Sequence, residues 1–286
     1  GTVISTGRIA LNEDQVRALK SMGDFVSSEF EEGNETFGLK GYAGTGKTTI
    51  VGVLQQYVRY STYKNMKFSS PTHRANAVLR SSLGKNSPKV YTLHALFGLG
   101  PQQDLETFDA NSAKYVNDRM MQLDRDDILI IDESSMINDR LYDFITKFSK
   151  QLRAKVVFVG DPKQLKPVKQ NTLSKAFSAV DHVEELTIVE RTGDNPLLAE
   201  TVTVRNSKEG EGVIFTDLRH EFIGKAIRLF SSPEFKQDPL LIRIVTGTNA
   251  RVDDWNNEMR RGLWKEKEEN QYNVGEILMG YSNWDI

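Results

Sequence analysis

The residues Gly41-Tyr42-Ala43-Gly44-Thr45-Gly46-Lys47-Thr48 meet the spacing G-x-x-x-x-G-K-[ST] in full. Residues of these types in this order bind phosphate. Glycines let backbone N–H groups close around phosphate oxygens, and a helix that begins there turns the positive end of its dipole toward the anion. Gly41, Ala43, Gly44, Thr45, Gly46 and Thr49 are the candidates for lining such a cradle. Lys47 is placed to reach the β- and γ-phosphates of a nucleotide, and the Thr48 hydroxyl to hold Mg²⁺.

A phosphate loop that turns over its nucleotide needs a carboxylate on the metal side. Leu129-Ile130-Ile131-Asp132-Glu133 offers one at the end of an apolar run. Asp132 would enter the Mg²⁺ shell, and Glu133 would orient or deprotonate an attacking water. An acidic pair can also simply open a helix capped by Ser134 or Ser135, but its place downstream of the phosphate loop favours the catalytic reading. Gly160-Asp161-Pro162-Lys163-Gln164-Leu165-Lys166-Pro167-Val168 follows the next apolar run. Gln164 there can hydrogen-bond a γ-phosphate and a catalytic water, although the same residues also read as an Asp-Pro turn.

These groups must be carried by regular elements. Thr36–Lys40 reads as a buried strand ahead of the phosphate loop, and Thr49–Val58 as a helix behind it. Met66–Ser70 reads as a strand. Thr72–Leu83 reads as a helix capped by Thr72 and stopped at Gly84. Asp127–Asp132 and Lys155–Gly160 are near-continuous apolar strands, as expected when both sheet faces are covered. Between them, Asn138–Lys150 has helical spacing with Leu141, Phe144, Ile145 and Phe148 on one face. Val183–Val189 is one more expected strand. Strands alternating with helices predict a parallel α/β sheet flanked by helices. Gly98–Arg125 breaks the rhythm and reads as an insertion on the sheet outside the core. After a hinge at Thr192–Pro196 a second α/β region is expected, with a helix at Glu221–Ser231, a strand at Leu240–Val245 and a helix from Ala250 to about Trp264. Trp255 and Trp264 are expected to pack in the interior of that region.

Composition narrows the function classes. With 286 residues the chain has room for one large or two modest domains. It has no cysteine, which rules out disulfides, zinc–thiolate sites and cysteine nucleophiles. No apolar run approaches the ~20 residues of a membrane span, and a cytoplasmic location is expected. The net charge of −2 provides no global basic field, so nucleic-acid binding must come from local grooves and stacking side chains.

Taken together, Gly41–Thr49, Pro71-Thr72-His73-Arg74-Ala75, Thr92-Leu93-His94, Ile131–Met136 and Gly160–Val168 resemble the motifs of superfamily 1 DNA helicases, in the order of the RecD/Dda branch. The resemblance covers residues 8–192 well and the remainder loosely. It implies a RecA-like P-loop NTPase domain over residues 1–192 and a partial second RecA-like domain over 193–286. It also implies ATP and Mg²⁺ as cofactors, single-stranded DNA and its junctions with duplex as partners, a monomer, and 5′-to-3′ movement, with DNA repair and recombination among the processes served. The alternative is a nucleotide-gated DNA-binding ATPase module without processive unwinding, and a small-molecule kinase is disfavoured by the Gln164 and Thr72 motifs.

Carried over by position, the resemblance implies that Gln15 in Leu11–Gln15 contacts the adenine; the same residue also reads as a surface position behind an Asn12 helix cap. It implies that Pro71, Thr72, His73 and Arg74, then Thr92 and His94, contact the DNA strand. Thr72 also reads as a helix cap and His94 as a structural histidine. Glu190-Arg191-Thr192 resembles the motif whose arginine, here Arg191, reaches the γ-phosphate from the domain cleft. The 98–125 insertion lies where this family carries a strand-splitting wedge, with Phe108 or Tyr115 to stack on bases, or else to pack a small core of the insertion's own. Thr246, Thr248 and Asn249 would touch DNA phosphates, or else serve ordinary turn and cap chemistry. Two later motifs of these helicases have no counterpart between Asn249 and Ile286, so the chain is expected to be part of a longer protein.

Overall fold

The computed structural model describes residues 10–83, 89–99, 122–164, 167, 172–189, 219–238, 242–244, 246 and 249–264, with the backbone alone for 73, 74, 82, 219–221 and 249. The chain divides into two compact units, Gly1–Arg205 and Asn206–Ile286.

The first unit opens with α1 (Glu13–Ser27). Asn12 caps it: its side chain accepts from the Gln15 amide, while the Gln15 side chain accepts from the Asn12 amide. This reciprocal pair satisfies two helix-end donors, and Glu13 and Asp14 place negative charge at the positive end of the dipole. Ala18, Met22, Phe25 and Val26 follow helical spacing and are buried. Next come β1 (Thr36–Gly41), α2 (Lys47–Ser61), β2 (Met66–Ser70), α3 (His73–Leu83), β3 (Val90–Thr92) and α4 (Leu93–Phe97). Then follow β4 (Ile128–Ile131), a single 3-10 turn (Ser134–Met136), α5 (Asp139–Gln151), β5 (Lys155–Gly160), α6 (Lys175–Ser178) and β6 (His182–Leu186).

The six strands form one sheet in the order β3-β2-β4-β5-β1-β6, and every recorded pairing is parallel. This is the predicted architecture. Alternation along β4 divides the core. Ile128 and Ile130 join Phe37, Leu39, Val157 and Val159 in one cluster under α1, α2 and α3. Leu129 and Ile131 join Val156 and Phe158 in a second cluster under α4, α5 and α6. Both faces are therefore covered, which explains why β4 and β5 are apolar almost throughout.

Three expectations need correction. The last strand is His182–Leu186 and stops short of Val189; it is an edge strand, with Val183 half exposed. The 98–125 segment is not wholly outside the core, because Leu99 and Leu123 at its two ends are fully buried in the second cluster. Apolar side chains at the roots of the insertion are needed to seal that face. Phe108 and Tyr115 lie outside the described residues. In the second unit, Ile242, Arg243 and Ile244 form no strand among the described residues; the apolar run that suggested one looks alike in a strand and in an extended packed segment. That unit contains helices Arg219–Phe230, Pro233–Gln237 and Asn249–Leu263. Trp255 is half buried there against Phe222, ring centroids 5.4 Å apart.

Candidate functional site

In a parallel sheet every strand ends on the same edge, and loops at those carboxyl ends line the crevice where ligands of open α/β folds bind. The candidate residues gather on that edge. Gly41 ends β1 and Gly46 precedes α2. Gly44 and Gly46 have φ of 84° and 82°, the left-handed region that favours glycine. A Cβ on Gly41 would stand 2.6 Å from Thr45 Oγ1, and one on Gly46 would run into the Gln15 amide. The loop is thus a backbone cradle that side chains would fill, which fits phosphate. Thr45 is buried and its hydroxyl donates to Tyr42 O at 2.9 Å. Lys47 Nζ donates to Gly41 O at 2.7 Å and to Tyr42 O at 2.9 Å, so its ammonium lies across the loop. Thr48 is half buried, while Ala43 and Thr49 are exposed.

Asp132 and Glu133 follow β4 directly, anchored by the Asp132 amide donating to Ser69 O at 2.9 Å on β2. Glu133 is left-handed, φ 53°, and its amide donates to Asp132 Oδ1 at 2.9 Å. Burial raises the Asp132 carboxyl above its ordinary value, against the Glu133 amide and the Lys47 charge, which lower it. Burial also raises Glu133, reinforced by the negative charges of Asp132 and Asp161 and opposed by Lys47. Lys47 therefore acts on both carboxylates, which brings the two sequence motifs into one electrostatic site. Among the described residues no three acidic or histidine side chains form a metal cage. The donors Thr48 and Asp132 suit an ion that keeps phosphate and water oxygens in its shell, as Mg²⁺ does.

β5 delivers the third element. A Cβ on Gly160 would lie 3.0 Å from Phe177 Cζ and 3.1 Å from the Ser134 amide, so the strand end packs tightly on the acidic turn. Asp161 is buried and accepts from the Lys163 amide at 3.0 Å; the Gln164 amide donates to Asp161 O at 3.1 Å. Gln164 is exposed on this turn. Asp161 was not singled out from the sequence as a site residue, although its place at a strand end after glycine was the available signal.

Gln15 is buried, 3% exposed, and so is not a surface position. Its Oε1 accepts from Asn12 N at 3.1 Å and its Nε2 donates to Thr45 O at 3.0 Å. An amide N–H can only donate and a carbonyl only accept, so the two partners set the side chain's orientation. In this structure Gln15 braces the phosphate loop from α1.

The strand-contact candidates sit on the other half of the edge. The register Ser70↔Thr92 places the exits of β2 and β3 side by side. Pro71 and Thr72 are half buried, and Thr72 Oγ1 accepts from Ala75 N at 3.1 Å, the expected cap. His73 and Arg74 open α3. Thr92 caps α4 through Ala95 N at 3.1 Å, and His94 is half buried within α4. Beneath this loop, Ser70 Oγ lies 2.8 Å from Asn76 Oδ1 and 3.1 Å from Thr72 O, a buried support that no sequence motif announced. Thr246 and Asn249 belong to the second unit, where Asn249 starts a helix. Phe108, Arg191 and Thr248 lie outside the described residues.

Comparison with known proteins agrees with this fold. The AAA domain family matches residues 10–223. An uncharacterized protein of Acanthamoeba polyphaga mimivirus is 26% identical over 86% of this chain and 56% of its own length. The ATP-dependent DNA helicase dda of Enterobacteria phage T4 is 26% identical over 93% of this chain and 61% of its own. The chain thus spans somewhat over half the length of these relatives. Among solved structures, the Pif1 helicase from Candida albicans shares the fold at a TM-score of 0.54, with 19% identity over 87% of this chain and 54% of that one. The motif resemblance to the RecD/Dda branch of superfamily 1 is borne out by these matches. No helix among the described residues is long and apolar enough to cross a membrane.

Proposed function

Because this chain belongs to the AAA domain family, matched over residues 10–223, we propose that it binds and hydrolyses ATP and couples turnover to movement on single-stranded DNA, 5′ to 3′, with unwinding of duplex ahead. The observation that carries the reading is the meeting of the Gly41–Thr48 cradle with Asp132 and Glu133 at one sheet edge, with Lys47 acting on both carboxylates.

In this reading backbone N–H groups of residues 44–48 receive the phosphates, and Lys47 exchanges the carbonyls of Gly41 and Tyr42 for phosphate oxygens. Thr48 and Asp132 would hold Mg²⁺, which neutralises phosphate charge when bound. Glu133 takes the proton from the attacking water; its raised proton affinity suits that task. Gln164, on an exposed turn held by Asp161, orients the water or senses the γ-phosphate. Arg191 supplies transition-state charge, as arginine fingers do. Thr72, His73, Arg74, Thr92 and His94 hold the DNA strand through its phosphates. With few basic side chains available, affinity should depend only modestly on salt.

The test has two parts. ATP turnover by the chain is measured with and without single-stranded DNA. Strand displacement is then measured on duplexes with a 5′ or a 3′ tail, using the whole protein. The expected result is DNA-stimulated turnover and unwinding only from a 5′ tail. Turnover indifferent to DNA would favour a nucleotide-gated binding module instead. A strict need for a 3′ tail would refute the assigned direction.

A further inference from the structure

The first turn of α1 holds two adjacent side chains that reach in different directions. Gln15 donates to Thr45 O of the phosphate loop at 3.0 Å. Asp14 turns to the end of β6: its Oδ2 accepts from Thr187 N at 2.9 Å and from Thr187 Oγ1 at 2.7 Å. Asp14 Oδ1 accepts from Arg17 Nη1 at 2.8 Å. Arg17 in turn donates to Glu184 Oε2 and to Glu185 O, each at 3.0 Å, so this stretch of helix grips β6 at two adjacent positions and the chain just past its end at Thr187. The Thr187 hydroxyl and amide, then Arg17, hold the Asp14 carboxyl down at about 2, so it is charged throughout the neutral range.

The loop and the strand end are also neighbours in the sheet. Gly41 pairs with Leu186, and a Cβ on Gly41 would stand 3.1 Å from Leu186 Cβ. The phosphate loop is therefore seated between α1 and the exit of β6, and one helical turn holds both. Any shift of the loop carbonyl at Thr45 pulls on Gln15, and the adjacent Asp14 is tied to Thr187 by two charge-assisted bonds, stronger than neutral ones.

We propose that Asp14 is a positioning residue that fastens the chain leaving β6 to the phosphate loop, so that nucleotide seated in the loop orders residues 182–189. This rests on the reading of Gly41–Thr48 as a nucleotide site. A coupling of this kind amounts to a differential stabilisation of one arrangement of β6 and its exit, and such couplings commonly change an equilibrium about 5- to 150-fold.

The experiment is amide hydrogen exchange of the peptide spanning 182–189 in the whole chain, with and without a non-hydrolysable ATP analogue, alongside titration of that analogue. In the wild type the analogue should slow exchange of this peptide about tenfold. Asp14→Asn should bind the analogue within about threefold of wild type and lose that slowing. Thr187→Val removes one of the two bonds and keeps the backbone one, so it should lose part of it while remaining well folded. A purely structural Asp14 would alter exchange equally with and without analogue. Undiminished slowing in both variants, or no slowing in a wild type that binds the analogue, overturns the proposal. A wild type that fails to bind the analogue overturns the nucleotide reading and this inference with it.

Discussion

Lys47 Nζ donates to Gly41 O at 2.7 Å, so the ammonium reaches back over the loop to the residue that ends β1. It is half buried, and its charge lowers the proton affinity of Asp132 and Glu133. Lys47→Ala should therefore leave the fold intact and abolish ATP hydrolysis. Circular dichroism should match wild type while turnover falls to background; near-normal turnover would remove Gly41–Thr48 from the mechanism.

Glu133→Gln should retain nucleotide and stop the chemistry. The amide keeps shape and loses the base, so turnover should fall about 10²–10⁴-fold with analogue affinity little changed. Because burial and Asp132 raise Glu133, the acid limb of the wild-type rate profile should lie above the usual carboxylate range, as the base must be deprotonated to act. Parallel losses of affinity and rate would make Glu133 structural.

Gly46→Ala places a side chain at φ 82° and drives its Cβ into the Gln15 amide. The left-handed backbone alone costs about 1–2 kcal/mol, and the collision breaks the brace on Thr45. A lower melting temperature and at least a tenfold loss of nucleotide affinity are expected. Melting curves and analogue titration check both, and wild-type values in the two would refute the cradle geometry.

Lys155 is buried at the start of β5, where its Nζ donates to Ser28 O at 3.0 Å and also to Phe25 O and Ser28 Oγ. Burial, then the charge of Lys64, lowers it to about 8 from an ordinary 10.5. The unfolded chain therefore holds this proton more tightly, and the Lys155 contribution makes stability rise as pH climbs from about 8 to 10.5. Denaturant titrations across that window should show a more positive slope of unfolding free energy for wild type than for Lys155→Met. Identical slopes would mean that the lysine is not desolvated.

The phosphate loop, the acidic pair, the Gln164 turn and the strands carrying them are local patterns, and each was legible because its signal lies within a dozen residues. Thr72 caps its helix as its side chain predicts. Of the strand expected at Leu240–Val245, the described residues 242–244 form none, in a place where an apolar run alone had to decide.

What the residue order determined by itself was the set of chemical groups and their attachment to strand ends, because glycine spacing and apolar periodicity act over one or two turns of chain. What only the tertiary structure decided was which of these groups meet. Asp14 and Thr187 are 173 positions apart, and Gln15 and Thr45 are 30 apart. Their pairing depends on β6 lying beside β1 and on α1 crossing both, an arrangement set by burial of the two sheet faces and carried by no local motif.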